Sequence, residues 1–256
     1  MQVVILCGGS GTRLREETEF RPKPMIHIGG KPMLWHIMKI YSHYGFHDFI
    51  LALGYKQEII REYFIHYPEL NCDLTVNTGP YRGDPSYRTR SENWNVTLVD
   101  TGEQTFKGGR LKRIEKYIQG DTFCCTYGDG VADIRLDSLL EFHLRHGKIA
   151  TVTGIHPHPK FGEIAHRNGC VLSYSEKAPD ADCLVNGGFM VFNRGIFDYL
   201  SEDDWCDLER GPFELLVNKG ELMMYQHKGW WGCMDTIRET DELRNLWDSG
   251  KAPWKI

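Results

Sequence analysis

The first apolar run of the chain, together with the loop that follows it, limits the possible folds more than any other feature. Residues 3–7 read Val-Val-Ile-Leu-Cys, an unbroken and partly β-branched stretch that is typical of a strand buried on both faces of a parallel sheet. After a glycine-rich loop, apolar residues at helical spacing begin behind Pro32 and stop at Gly45, and a second strand is predicted over residues 46–53. This strand–loop–helix–strand order predicts a parallel sheet with helices on its faces.

The later segments alternate between strand and helix patterns in the same way. Further strands are predicted over residues 73–78, 95–101, 121–127, 149–155, 189–192 and 222–226. Further helices are predicted over residues 56–67, ended by Pro68, and over residues 110–118, 136–146, 196–200, 213–218 and 236–247. Residues 163–165 and 171–174 are expected to form a hairpin. No repeat or composition break divides the chain, so we expect one α/β domain over residues 1–256.

The charge balance excludes some classes of function. Lys and Arg number 30 and Asp and Glu number 35, which gives a net charge of -5. A nucleic-acid or anionic-membrane binder would need a basic face, so neither partner is expected. No apolar run approaches the ~18–20 residues of a membrane helix, and the first apolar stretch is too short for a signal peptide. We therefore expect a cytoplasmic protein, whose scattered cysteines are reduced and mostly buried.

The loop Gly8-Gly9-Ser10-Gly11-Thr12-Arg13-Leu14 matches neither of the two common nucleotide motifs. Leu14 stands where a dinucleotide fingerprint needs glycine or alanine, and no Gly-Lys-Ser/Thr follows as in a Walker loop. The glycines nevertheless allow backbone N–H groups to form an anion nest, and Arg13 and Lys23 add positive charge. The loop therefore favours binding of a nucleoside triphosphate, the alternative being a simple tight turn.

This loop, followed by Pro22-Lys23-Pro24-Met25, resembles the signature of the sugar-nucleotide pyrophosphorylases, a family of nucleotidyltransferases. Within that family the chain is similar to the glucose-1-phosphate cytidylyltransferases. The motifs that carry this second resemblance keep their order along nearly the whole chain: Trp94-Asn95-Val96-Thr97-Leu98-Val99-Asp100-Thr101-Gly102, Gly108-Gly109-Arg110-Leu111-Lys112-Arg113, Tyr127-Gly128-Asp129-Gly130-Val131-Ala132-Asp133, Asn186-Gly187-Gly188-Phe189, Met234-Asp235-Thr236 and Gly250-Lys251-Ala252-Pro253-Trp254. The element pattern and the resemblance together imply a Rossmann-like, mostly parallel mixed sheet flanked by helices, with β-hairpin elements added in the second half.

The resemblance also implies the residues of the site, with Arg13 and Lys23 as catalytic residues. The implied nucleotide contacts are Leu6, Cys7, Gly8, Gly9, Ser10, Gly11, Thr12, Arg13, Lys23, Thr105, Arg110 and Gly128. The implied sugar-phosphate contacts are Glu176, Lys177, Asn186 and Gly187. Two departures from the family pattern are visible. Ala178 stands where the family usually has proline, and Arg21 replaces a usual lysine while keeping its charge.

Two aspartates are implied as ligands of Mg²⁺. Asp129 follows a predicted strand, at the sheet edge where ligands of α/β proteins gather, and Asp235 precedes the last predicted helix. Carboxylates and phosphate oxygens suit this ion. Asp-Gly is also a common turn pair and an aspartate before a helix is a common N-cap, so from the residues alone the structural alternatives stay open.

The implied reaction transfers a cytidylyl group from CTP to glucose 1-phosphate. The sugar phosphate is already an anionic nucleophile, so no general base is needed. Mg²⁺, Arg13 and Lys23 would offset the repulsion between the phosphates and hold an in-line attack. We therefore expect direct displacement without a covalent enzyme intermediate.

Residues 79–91 match the family least and are expected to form an aromatic and arginine-rich arm or a loop. The resemblance implies a homo-oligomer, with a hexamer as the expected form, and the arm could provide a contact between subunits.

Three other readings stay open. The enzyme could use another nucleotide or another phosphorylated acceptor. A glycosyltransferase would usually carry Asp-x-Asp, whereas Asp129 is followed by Gly130-Val131-Ala132-Asp133. A catalytically dead nucleotide sensor is disfavoured because Arg13, Lys23 and both aspartates are present.

Overall fold

The computed structural model describes all residues except 10, 12–13, 77–85, 88–91, 158–162, 169 and 176–183. In chain order its strands are β1 (Gln2–Leu6), β2 (His27–Ile28), β3 (Lys31–Pro32), β4 (Asp48–Leu53), β5 (Leu74–Thr75), β6 (Ser86–Tyr87), β7 (Asn95–Asp100), β8 (Thr122–Tyr127), β9 (Gly130–Ala132), β10 (Ala150–Ile155), β11 (Glu163–Arg167), β12 (Cys170–Ser175), β13 (Val185–Asn193), β14 (Leu222–Gln226) and β15 (Trp231–Cys233). Its α-helices are α1 (Arg15–Thr18), α2 (Met33–His43), α3 (Gln57–Ile65), α4 (Tyr67–Asn71), α5 (Lys107–Arg113), α6 (Leu136–His146), α7 (Pro212–Asn218) and α8 (Ile237–Asp248).

Seven strands form the central sheet, in the spatial order β14-β10-β13-β8-β1-β4-β7. Strand β1 is parallel to β4 and β8, β7 is parallel to β4, and β14 is parallel to β10. Strand β13 is antiparallel to both of its neighbours, β8 and β10. The sheet is therefore mixed and mostly parallel, which confirms the predicted fold class. The neighbouring hairpin β11–β12 confirms the added hairpin of the second half.

Strand β1 shows why its sequence is continuously apolar. Val3 and Ile5 pack into the hydrophobic cluster on one face of the sheet, and Val4 and Leu6 pack into the cluster on the other face. Successive side chains of a strand point to opposite faces, so a strand covered on both sides alternates between two cores rather than between core and water.

Three predicted helices differ in the structure. The one over 196–200 is a 3₁₀ helix that spans Arg194–Tyr199. The helix over 56–67 was expected to end at Pro68, but α3 ends at Ile65 and Pro68 lies in the first turn of α4, where its missing N–H is not needed. The helix predicted over 110–118 instead spans Lys107–Arg113 and continues as a 3₁₀ turn at Glu115–Tyr117. Glycines at 108 and 109 disfavour a helix by propensity. Tertiary packing overrides this preference, since a Cβ at either position would meet residues 203–206 closely.

The fold brings the functional segments to one edge of the sheet. Strands β1, β4, β7 and β8 end there, because parallel strands share their carboxyl edge. Strand β13 runs the other way, so its beginning rather than its end lies at this edge, where Asn186 is opposite Gly154 near the end of β10. None of the described helices is both long and apolar enough to cross a bilayer.

Candidate active site

A cavity of about 590 Å³ opens at the carboxyl edge of β1 and β8. Its described lining residues are Leu6, Cys7, Gly8, Gly9, Gly11, Lys23, Pro24, Thr105, Phe106, Lys107, Arg110, Tyr127, Gly128, Asp129, Asn186, Asp207, Trp231, Cys233 and Asp235. The cavity thus collects the described residues that were predicted to bind the nucleotide and the metal, and Asn186 of the sugar-phosphate set. Ser10, Thr12, Arg13, Glu176 and Lys177 lie outside the described residues, and their predicted roles stay predictions.

The glycine loop follows β1, and the Arg110 side chain holds its first residue in place. The Gly8 carbonyl accepts hydrogen bonds from the Tyr55 N–H at 3.3 Å and from Arg110 Nη2 at 3.0 Å. A Cβ on Gly8 would overlap the Arg110 guanidinium, so this close approach requires glycine. Gly11 has a positive φ of 60°, and its carbonyl accepts from the Leu14 N–H at 2.9 Å. The loop therefore turns tightly where the resemblance implied phosphate contacts.

Arg110 is buried, and its charge is used inside the protein. Its Nη1 donates to the carbonyls of Leu53 at 3.0 Å and Gly102 at 2.6 Å, and its Nη2 donates to the carbonyl of Glu103 at 3.0 Å as well as to Gly8. Burial lowers the pKa of Arg110 from its ordinary value. Arg110 thus fastens the glycine loop to the turn after β7, while the predicted contact with a nucleotide stays a prediction.

Thr105 lies beside this turn and is also buried. Its hydroxyl donates to Asp204 Oδ1 at 2.6 Å and accepts from Arg113 Nη1 at 2.7 Å. Both of these partners therefore hold Thr105 in place at the cavity wall.

Asp129 and Asp235 are brought together by a small antiparallel ladder. Strand β9 pairs with β15, with Gly130 opposite Cys233, and the Met234 N–H donates to the Asp129 carbonyl at 3.0 Å. Backbone pairing of these two distant segments therefore places the two carboxylates close together. Asp235 is not the N-cap of α8. That role belongs to Thr236, which forms a capping box with Glu239.

Lys23 lies between these two aspartates. Its ammonium group is 2.6 Å from Asp129 Oδ2 and 2.7 Å from Asp235 Oδ1. The backbone around it is a 3₁₀ turn over Lys23–Met25, stiffened by Pro22 and Pro24. Burial lowers the pKa of Lys23, but the two carboxylates outweigh burial and the pKa lies above its ordinary value. The lysine is therefore a permanent cation at the centre of the cavity.

The two carboxylates have the donor chemistry that a divalent cation requires. They already share one cation, and they are 29% and 27% exposed, compared with 13% for Lys23, so they stay open to the cavity above the lysine. No cluster of three or more metal-ligating side chains occurs in the part of the chain that the structure describes. Phosphate and water oxygens would therefore complete the coordination of an ion bound here.

Of the predicted sugar-phosphate contacts, Asn186 lines the cavity and Gly187 follows it in β13. Asn186 Nδ2 donates to the Tyr127 hydroxyl at 3.1 Å, and Asn186 Oδ1 accepts from the Gly188 N–H at 3.0 Å. The Gly187 carbonyl accepts from Trp231 Nε1 at 2.8 Å. Both residues are thus held by neighbours that also reach the cavity.

Sequence reasoning missed four polar residues of this region. One of them, Asp207, lines the cavity and lies 3.7 Å from the Lys107 ammonium group. Tyr127 and Lys107 line the cavity, and Glu209 joins both of them through its carboxylate. Tyr127 directly precedes Gly128-Asp129, so its position at a strand end was a usable signal. Glu209 lies in a segment without a motif, and nothing in the sequence connects it with Tyr127.

Comparison with known proteins identifies the family to which the chain belongs. The family model described as nucleotidyl transferase matches residues 2–231. The chain belongs to the nucleotidyl transferase family. A glucose-1-phosphate cytidylyltransferase of Salmonella typhimurium is 48% identical over 256 residues, covering 100% of this chain and 99% of that protein. The enzyme of that name from Salmonella typhi is 47% identical over 256 residues, with the same coverage. The predicted resemblance is therefore confirmed.

The nucleotidyl transferase fold is also shared with solved structures. The structure of a UDP-glucose pyrophosphorylase complexed with UDP-glucose has a TM-score of 0.69 against this chain and is 15% identical to it. The match covers 97% of this chain and 98% of that one. At this identity the likeness supports the fold alone.

Proposed function

We propose that this nucleotidyl transferase moves the cytidylyl group of CTP onto α-D-glucose 1-phosphate, which gives CDP-glucose and pyrophosphate. The observation that carries the proposal is full-length similarity to the glucose-1-phosphate cytidylyltransferases at 48% identity. The cavity supports it, because a glycine loop, a central lysine and two open carboxylates lie together at the carboxyl edge of the sheet.

The reaction is a single displacement at the α-phosphorus. A phosphate oxygen of glucose 1-phosphate forms the new bond, the bond to the β-phosphate breaks, and pyrophosphate leaves with the electron pair. The nucleophile is ionised at neutral pH, so the enzyme need not remove a proton. Its task is to align two anions and to offset their repulsion. In this proposal Lys23, which lines the cavity, and Arg13 supply the positive charge for this task.

Asp129 and Asp235 would hold the divalent cation, for which we propose Mg²⁺. The bound ion supplies positive charge to the phosphate oxygens. Backbone N–H groups of residues 8–11 bind phosphates in this proposal, with Arg110 holding the loop. Asn186 and Gly187, together with Glu176 and Lys177, bind the sugar phosphate. The proposal also includes action as a homo-oligomer, with a hexamer as the expected form, in the cytoplasm.

Pyrophosphate release tests the proposal. Purified protein with Mg²⁺ is given CTP, UTP, dTTP, ATP or GTP, each without an acceptor, with glucose 1-phosphate or with another sugar 1-phosphate in its place. We expect release with CTP and glucose 1-phosphate together and not with either alone. Release only with a different sugar phosphate would keep the reaction class and refute the acceptor. Absence of release with every pair would refute nucleotidyl transfer.

A matched pair of variants tests the cation site. Asp129→Asn removes one of the two carboxylates, and we expect turnover to fall at least about a hundredfold, because charge stabilisation of the transition state is lost. Asp121→Asn is the control, since Asp121 is exposed at the opposite end of β8. Unchanged turnover in Asp129→Asn would show that no catalytic cation binds at this position.

A further inference from the structure

Glu209 lies in a segment without a motif and contacts two polar residues that line the cavity, Tyr127 and Lys107. The Tyr127 hydroxyl donates to Glu209 Oε1, and the other oxygen of Glu209 forms an ion pair with Lys107. Tyr127 also accepts the 3.1 Å hydrogen bond from Asn186 Nδ2. Asn186, Tyr127 and Glu209 thus form one hydrogen-bonded chain that begins at a residue facing the cavity.

The hydrogen bonds of this chain have consistent directions. The Tyr127 hydroxyl donates to Glu209 and accepts from the Asn186 amide nitrogen. A phenol carries one hydrogen, and the Tyr127 hydroxyl uses it in the bond to Glu209 Oε1. The oxygen lone pair is then left to accept from Asn186.

The Asn186 amide is therefore fixed at both ends. Its Nδ2 faces Tyr127, and its Oδ1 accepts from the Gly188 N–H at 3.0 Å, so a flip of the amide would break both bonds. One N–H and one lone pair remain available, and they can serve a ligand in the cavity that Asn186 lines. Adjacent hydroxyl groups of a sugar match this pair, because one accepts and the other donates.

We infer that Glu209 is a positioning residue for the sugar phosphate, which acts through the Tyr127 hydroxyl to set the orientation of the Asn186 amide and with it the preference among sugar epimers. This inference rests on the proposed function for the identity of the acceptor. Lys107 supports the arrangement, since its ammonium group pairs with Glu209 and lies 5.6 Å from the centre of the Tyr127 ring.

Steady-state kinetics of four variants tests this role. We measure kcat, the KM for glucose 1-phosphate and the KM for CTP, and repeat the assay with galactose 1-phosphate. In Glu209→Leu and Tyr127→Phe we expect the KM for glucose 1-phosphate to rise about tenfold and the preference over galactose 1-phosphate to shrink, because the amide is free to turn. The KM for CTP stays within about twofold, since the side-chain bonds of Glu209, Tyr127 and Asn186 given above run to one another, to Lys107 and to Gly188 rather than to the described residues of the glycine loop.

Two variants separate positioning from general damage. Glu209→Gln keeps an oxygen that accepts from Tyr127, so its KM for glucose 1-phosphate is expected within about threefold of the wild-type value. Glu214→Leu is the matched control, because Glu214 is exposed on α7 and the substitution is the same. Thermal unfolding of each variant shows whether the fold is kept, and Tyr127→Phe still reports if Glu209→Leu fails to fold.

The inference is overturned if Tyr127→Phe leaves the KM and the epimer preference at wild-type values, or if the KM for CTP rises as much as the KM for the sugar phosphate. An inactive wild-type protein with CTP and glucose 1-phosphate would instead refute the proposed function. Failure of the inference is therefore seen in the variants, whereas failure of the proposed function is seen in the wild-type protein.

Discussion

At the scale of single residues, Lys23 is the most informative side chain. Its ammonium group lies within 2.7 Å of both carboxylates that would hold a divalent cation. Two negative charges and one positive charge share this position, so the lysine and an incoming cation compete for the same oxygens. We therefore expect Lys23 to weaken cation binding by these carboxylates, in addition to its proposed contact with phosphates.

This competition predicts the behaviour of Lys23→Met in the absence of nucleotide. Without the ammonium group, no positive charge offsets the repulsion between the two carboxylates. We therefore expect Mn²⁺ to bind about tenfold more tightly to this variant than to the wild-type protein. Titration of free Mn²⁺ by electron paramagnetic resonance measures the Kd directly. The control is Lys39→Met, which removes a different ion pair, that with Glu92. Equal or weaker Mn²⁺ binding in Lys23→Met would show that the lysine does not occupy the cation position.

The sequence allowed the two aspartates to be predicted only through resemblance, because Asp-Gly turns and helix caps explain such residues equally well. It could not indicate that Lys23 lies between them, since that contact depends on the pairing of β9 with β15. Glu209 had no local signal. Its role exists only because tertiary structure places it against Tyr127.

At the scale of elements, α2 is fixed to α8 and the end of the chain by a buried histidine. His36 is 2% exposed, its ring contacts those of Trp247 and Trp254, and Nε2 lies 2.9 Å from the Ile28 carbonyl. Burial lowers its pKa from 6.5 to about 4. The neutral ring donates one hydrogen to that carbonyl. A charged ring would lose its hydration in this buried position, and protonation is therefore disfavoured.

The sign of the resulting pH dependence follows from proton binding. Between pH 6.5 and about 4 the unfolded chain binds a proton at His36 that the folded protein does not, so acidification favours unfolding in this window. We expect His36 to cost about 2 kcal/mol of unfolding free energy on going from pH 7 to pH 5. Urea unfolding at both pH values measures this loss. His36→Gln keeps an N–H donor without a titrating ring, and an equally large loss in that variant would contradict the assignment to His36.

The elements themselves were largely predictable where the pattern was strong. Residues 136–146 and 222–226 have the predicted bounds, because helical or strand spacing and flanking turn residues agree there. The prediction for residues 110–118 was wrong because Gly108 and Gly109 lie inside α5, against residues 203–206. Such a preference for close packing over intrinsic propensity is invisible in a single sequence.

At the scale of the whole molecule, one sheet separates two hydrophobic clusters that depend on each other. Strands β1, β4 and β8 contribute side chains to both clusters, for example Val3 to one and Val4 to the other. Loss of one cluster would expose one face of the strands that support the other. One folding unit over residues 1–256 stays a prediction, and this arrangement favours it.

We therefore expect a single cooperative unfolding transition. Urea unfolding followed by far-ultraviolet circular dichroism and by tryptophan fluorescence should give coincident curves. Trp94 packs against Phe49, and Trp254 packs against Trp230, and all four belong to or contact one hydrophobic cluster. These tryptophans therefore report on that cluster, whereas circular dichroism reports on secondary structure throughout the protein. Two resolved transitions would divide the chain into domains that unfold independently.

The pairing of β9 with β15 has a consequence for the life of the polypeptide. During translation the glycine loop leaves the ribosome first, Asp129 follows near the middle of the chain, and Asp235 comes more than one hundred residues later. A nascent chain that has just completed β8 therefore contains only one of the two carboxylates. The pair that would hold the divalent cation forms only after β15 has been made and has paired with β9, so this part of the proposed site is completed late in synthesis.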